Sequence, residues 1–471
     1  GNVKHVLRTQ VGDKPNRAIF SSPLVLRLLG GAISQPFYAN WDHPGSLLGS
    51  SFAHGDTVKI LGRMLRVPPK IEEVLKKVKV DFSEKGVLPD TSPYLRKIYL
   101  IKGKCCAPDK SEFDMGMREE PMESFAKYTE GVLPVGTTYE NSKIADPEKR
   151  KLDAEKRQKA WKRINAFVHR KDGPSKRIIT NHRVLIHLPW ANPSGSMWTT
   201  TRNTDINLKG EEACARAAWA KVRKNREFEE FLKTSGYGDD TFNLFEDVSH
   251  PIEDLWKAMM ICMPDIGWDY KAGTTDLTDC ISDLEILGRY LHAVVQNDRV
   301  VGFVGVRPRH KMFHSLVYPK EPFQKDINPS SIRMARLIML SDEACFYPQE
   351  YKVVLQMFSA CEREFKTTPS WAEKYYDPTF NVSYKDVVRP RSWLESVKLH
   401  CGESLNVKIS DENSGEKETE EDIDVDLSDF EPIASSSLEK KEKKKVSLDV
   451  KEKKKKKKKA TSDDEDLDVD V

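Results

Sequence analysis

The stretch from Asn406 to Val471 constrains this chain most, because it holds almost nothing that could be buried. It contains 15 Lys and 21 acidic residues arranged in blocks: acidic from Asp411 to Glu431, lysine-rich from Lys440 to Lys459, and acidic again from Asp463 to Asp470. Phe430 and a few aliphatic residues are too little apolar surface to offset ordering entropy, so a disordered charged tail is expected over 406–471. Folding is thereby assigned to residues 1–405. The net charge of the whole chain is +3, but without the tail 61 basic residues stand against 52 acidic ones, a body of +9. Such a body suits acidic partners, nucleic acid first among them.

At 471 residues the chain exceeds one ordinary core of about 150 residues, and its 38% apolar content is enough for several. The best candidate for a membrane span, Ile19 to Phe37, is broken by Arg27 and Pro36, short of the roughly 18 apolar residues a span needs. No membrane partner is expected. No secretory signal is read at the start, and the eight cysteines show no Cys-x-x-Cys spacing. Reduced thiols in cytoplasm or nucleus are the expectation, with no secretion.

Periodicity and punctuation predict an α+β fold, predominantly helical with short strands and hairpins. Residues 1–106 read as an N-terminal α+β unit, with a helix after Pro68-Pro69 and a strand from Tyr94 to Lys102. Residues 107–145 read as a loop or junction, because their periodicity is weak. Residues 146–248 form a basic helical region: one helix from Asp146-Pro147 to about Arg170, a strand near 183–188, and a second helix from about Gly210 to Lys233. Residues 249–405 form an α-rich C-terminal unit. It holds a helix from Ser249 to Pro264, a helical stripe of Leu277, Ile281, Leu284, Leu287 and Leu291, and a hairpin turning at Asn297-Asp298. Helices are expected from Pro329 to Leu340, Pro348 to Phe365 and Arg391 to His400.

Phosphate-cradling, dinucleotide-binding, zinc-protease and serine-hydrolase signatures are missing, so no cofactor is assigned. His310 and His314 lack a third ligand at a suitable spacing, so no metal site is assigned either. The basic helices carry the strongest functional hint. Lys149, Lys156, Lys159, Arg163 and Arg170 recur on one side of the first helix, and Arg216, Lys221, Arg223, Lys224 and Arg226 stud the second. Cations spaced along a surface neutralise successive phosphates and release condensed counterions. Trp161 is expected in the core rather than at a base.

In the tail, Lys453, Lys454, Lys455, Lys456, Lys457, Lys458 and Lys459 resemble a nuclear targeting signal, and Ser428 and Ser462 precede acids as phosphorylation sites do. Together these features predict a non-enzymatic protein binding RNA or single-stranded nucleic acid, of nucleocapsid, coat-protein or ribonucleoprotein-assembly type; self-association is left open. Two alternatives stand beside it. One is an enzyme whose site gathers sequence-distant residues, with Asp265, Asp269, His292, His310 and His314 as candidates; the other is a protein-interaction scaffold without nucleic acid.

Overall fold

The computed structural model describes residues 2–3, 18–19, 28–32, 34, 43–83, 86, 91–111, 113, 116–131, 141–172, 175–179, 185–189, 198–223, 227–313, 328–369, 384 and 386–402. Residues Gly1–Val407 group as one compact unit. The charged tail, with Lys453 to Lys459, Ser428 and Ser462, lies outside the described residues.

The chain order runs α1 (Thr57–Leu65), α2 (Ile71–Leu75), β1 (Val78–Val80), β2 (Leu95–Arg96), β3 (Ile98–Leu100), β4 (Lys104–Cys106) and β5 (Lys110–Ser111). Next come α3 (Glu119–Gly131), α4 (Pro147–Asp172), β6 (Ser175–Ile179), β7 (Leu185–Pro189), α5 (Thr199–Arg223), β8 (Leu232–Tyr237), β9 (Asp240–Phe245) and α6 (Ile252–Cys262). The described part closes with β10 (Asp269–Tyr270), β11 (Glu285–Ile286), β12 (Arg289–Gln296), β13 (Arg299–Val306), α7 (Pro329–Ala344), α8 (Pro348–Phe365) and α9 (Trp393–Cys401). The fold is α+β, as expected.

The organising element is the antiparallel sheet β8-β9-β4. Alternate side chains of a strand point to opposite faces, and here both faces are covered. Phe242, Leu244 and Cys105 enter a core with Ile60, Leu61 and Met64 of α1 and Leu291, Ala293 and Phe303 of the β12–β13 hairpin. Phe245 and Cys106 enter the other core, with Trp219 of α5, Trp256 of α6 and Trp268. Between those apolar anchors, Thr241 and Asn243 face α5 and need polar partners.

Helix α4 begins where the sequence places it. Asp146 Oδ1 accepts hydrogen bonds from the amides of Glu148 and Lys149, at 3.0 and 3.3 Å, and so caps its first turn. The hairpin at Asn297-Asp298 also forms, with φ of 50° and 56° at the two turn residues. The three C-terminal helices lie within a few residues of expectation, and α9 opens with a reciprocal cap between Ser392 and Glu395.

Three readings need correction. Residues 107–145 are not loop throughout, because α3 spans Glu119–Gly131 and buries Met122, Phe125 and Thr129. Three buried positions are too few to mark a period against that charged background. The second basic helix is displaced: α5 starts at Thr199 and ends at Arg223, and residues 232–237 are strand. Its first half buries Thr201, Arg202, Asn203, Thr204, Asp205 and Asn207, which carry no apolar period for a sequence to show. The stripe from Leu277 to Leu291 is not a helix either. Leu287 and Gly288, with φ of 52° and 77°, turn the chain between β11 and β12.

Candidate active site

A two-residue turn joins β8 to β9, with Tyr237 paired to Asp240 across Gly238-Asp239. Gly238 has φ of +67°, a left-handed backbone that glycine adopts at no steric cost. The turn therefore presents two adjacent carboxylates, Asp239 and Asp240, at the tip of the hairpin. A third, Asp109, follows β4 by three residues, past the last ladder pair of Asn243 with Cys106, and its charge acts on Asp240. Like charges brought near one another repel.

That repulsion is visible in the acidity of Asp240. Its side chain reaches solvent, yet the protein around it desolvates the carboxylate, and the charges of Asp239 and Asp109 add to that; together they push its pKa up to about 6. Lys271 relieves part of the crowding by pairing with Asp109, and its amide donates to the Asp109 carbonyl at 2.8 Å. Asp109 and Asp240 border a cavity of about 630 Å³, whose wall also includes Thr241, Thr274, Glu285 and Lys311. That volume is in the range of small-ligand sites.

The tip is fixed from below by a polar network between the sheet and α5. Asn207 is its hub: Nδ2 donates to the carbonyls of Gly238 and Asp239, at 3.1 and 3.2 Å, and Oδ1 accepts from Lys110 Nζ at 2.8 Å. Thr204 Oγ1 accepts from the Gly238 amide at 2.7 Å. Lys110 Nζ lies 2.5 Å from Glu211 Oε1, and both side chains are fully buried. The other oxygen, Glu211 Oε2, accepts from Asn243 Nδ2 at 3.1 Å and from the Tyr270 hydroxyl at 2.6 Å. Burial, reinforced by the Glu211 charge, holds the Tyr270 phenol well above its ordinary range, so it remains a donor. A buried ion pair needs partners for its other valences; Lys110 Nζ also donates to Asn207 and Thr241, and Glu211 Oε2 accepts two hydrogen bonds, while Oε1 has the ion pair alone.

Among the described residues no group of three or more His, Cys, Asp or Glu side chains is set closely enough to hold a metal ion unaided. Hard divalent cations need less than that, since Mg²⁺ is commonly held by one or two carboxylates with water and substrate phosphates completing the shell. Asp109 and Asp240, which border the cavity, are oxygen donors of that kind, and an ammonium is already drawn onto Asp109.

The residues singled out from sequence lie elsewhere. Lys156, Lys159 and Arg163 are exposed on α4, as is Lys149, which stands 3.6 Å from Asp146. Arg170 belongs to the same helix, but its side chain is outside the described residues. On α5, Arg216 is engaged by Glu212 at 2.8 Å and lies over the Phe228 ring, Arg223 donates to Ser249 Oγ at 3.2 Å, and Lys221 is exposed. Lys224 and Arg226 lie outside the described residues. Trp161 packs against the core, as expected.

Nor are the candidates for an assembled enzyme site brought together as a group. Asp265 and Asp269 are exposed. His292 is buried, and that burial, aided by Lys97, lowers its pKa to about 3. His310 sits in a helical turn at Arg309–Met312, and His314 lies outside the described residues.

The carboxylate site was missed although it left a trace. Gly-Asp is a residue pair of the two-residue hairpin turn, a run with Phe242, Leu244 and Phe245 lies just after it, and a second acid follows directly. Extending the basic helix to Lys233 hid it.

No protein-family model matches the chain, and no curated protein matches it. Among solved structures the chain is similar to one described as Sicinivirus 3Dpol RNA dependent RNA polymerase, at a TM-score of 0.47 and 14% identity. The match covers 76% of this chain and 60% of that one, so the chain spans less than two thirds of the neighbour's length. That neighbour is by its name an enzyme, and the expectation of a non-enzymatic nucleocapsid, coat or assembly protein is corrected here. Among the described residues no helix is long and apolar enough to cross a membrane.

Proposed function

We propose that the chain is a divalent-cation-dependent nucleotidyl transferase that acts on RNA, the enzyme alternative with a different set of residues. One observation carries the reading: the β8–β9 turn presents Asp239 and Asp240 side by side, and Asp240 shares the edge of a cavity with Asp109. Carboxylates crowded at a cavity mouth are arranged for a cation, and the substrates that bring oxygen ligands of their own to such an ion are phosphates. Bound there, divalent cations would activate an attacking oxygen and stabilise charge on the leaving phosphate.

The chain's own residues account for the rest. Asn207 and Thr204 hold the backbone of the turn from which the carboxylates project, which is part of the preorganisation such chemistry requires. Lys271 pairs with Asp109 and so holds it in place. The neighbouring cavity, about 630 Å³, has room for a nucleotide.

The test is incorporation of labelled nucleotides into a primed template by the purified full chain, with Mg²⁺ or Mn²⁺ and with ribo- or deoxyribonucleotides. Divalent-dependent incorporation of ribonucleotides is expected, lost with chelator and lowered by at least about a hundredfold in Asp240→Asn. No incorporation by the unmodified chain, or full activity in that variant, would overturn the reading.

A further inference from the structure

Helix α4 carries an outward stripe that the carboxylate site does not use. Leu152, Lys156, Lys159, Arg163 and Phe167 follow one another at steps of four, three, four and four residues, which keeps them on one side of a helix. All five are exposed, Leu152 at 52% and Phe167 at 47%. Diametrically opposite lie Ala154, Trp161, Ile164, Asn165 and Val168, facing the core. Asn165 Nδ2 donates to Thr129 Oγ1 of α3 at 3.2 Å, which fixes the rotation of the helix about its axis.

Neighbouring cations on α4 are committed to acids, Arg157 to Asp153 at 2.7 Å and Lys162 to Glu130 at 3.1 Å. Lys156, Lys159 and Arg163 have no acidic partner among the described residues. Three uncompensated cations thus stand in a row about 10 Å long on a rigid element, with an aromatic ring at one end.

We infer that this face of α4 binds the sugar-phosphate backbone of single-stranded RNA, with Lys156, Lys159 and Arg163 on phosphates and Phe167 under a base. The choice of RNA over another polyanion rests on the nucleotidyl-transfer reading; the charge complementarity does not. A row of cations follows a strand of phosphates, and an exposed ring beside it offers a stacking platform. A membrane surface fits poorly, since the apolar side of this helix is spent on the core.

Binding of a labelled oligouridylate to the full chain is followed by fluorescence anisotropy across a salt series, in chelator so that turnover plays no part. Each phosphate contact to a single strand contributes about 0.7 to the slope of log K against log salt. The variant Lys156→Ala/Lys159→Ala/Arg163→Ala should therefore lose about 2 from that slope, with an unchanged melting curve because all three side chains are exposed. Phe167→Ala should weaken binding at every salt concentration and leave the slope alone. Asp240→Asn should bind as the unmodified chain does, which separates this inference from the catalytic one. An unchanged slope in the triple variant overturns the proposal. So does binding of labelled polyglutamate by a chain that fails to bind oligouridylate, an outcome that would identify an acidic protein partner instead.

Discussion

Lys110 and Glu211 show how much a single buried pair can decide. Neither side chain touches solvent, and the partners that satisfy them are the residues that hold the acidic turn. Lys110→Met would leave the Glu211 carboxylate buried without its counter-charge, a situation that costs about 3–5 kcal/mol. Urea unfolding should register that loss. Adding Glu211→Gln should recover at least half of it, because the amide keeps an acceptor for Asn243 and Tyr270 while no charge stays buried. A loss under about 1 kcal/mol in the single variant would mean that water reaches the site.

At the scale of the element, the β8–β9 hairpin depends on one backbone conformation. A Cβ at Gly238 would meet no atom within 4 Å, so any penalty there comes from φ of +67° alone. Gly238→Ala should destabilise the chain by about 1 kcal/mol, whereas Gly238→Asn should cost less, since asparagine enters the left-handed region more readily. Thermal melts of the two variants, compared with each other, check this; equal losses would show that space and not backbone strain is limiting. The contrasting case is Gly210 in α5, where a Cβ would lie 2.4 Å from the Trp268 ring. There glycine serves close packing, and the large ring of Trp268 is what demands it.

For the whole molecule, the response to acid follows from buried imidazole. His292 on β12 is buried, and that burial, with Lys97 near it, lowers its pKa to about 3 against an unfolded value of about 6.5. Its Nδ1 has no hydrogen-bond partner among the described residues. Below pH 6.5 the unfolded chain takes up a proton that the folded chain refuses, so stability falls with pH from about 6.5 towards 3. At pH 5 this one group should account for about 2 kcal/mol of lost stability. His400, lowered by burial to about 4, and His169, lowered well below its usual value, act in the same direction, so His292→Leu should lessen the dependence of Tm on pH between 7 and 5 without abolishing it, and an identical slope in that variant would remove His292 as a cause.

Local rules determined a good deal by themselves. An N-cap and proline placed the start of α4, a pair of residues tolerant of positive φ placed the turn at 297–298, and the α-rich α+β class followed from periodicity along the chain. The cationic face of α4 was also readable, because a helix repeats its surface every three to four residues. Tertiary structure alone decided the first half of α5, where Thr204, Asn207 and Glu211 are polar yet buried and so carry no apolar period. It also decided the carboxylate site. Asp109 lies more than a hundred residues before Asp239 and Asp240, and the pairing of β4 with β9, followed by the Lys110–Thr241 hydrogen bond, brings Asp109 and Asp240 to one cavity. Periodicity records which side of an element meets the core, whereas strand register is a relation between distant segments, and no local window of sequence contains it.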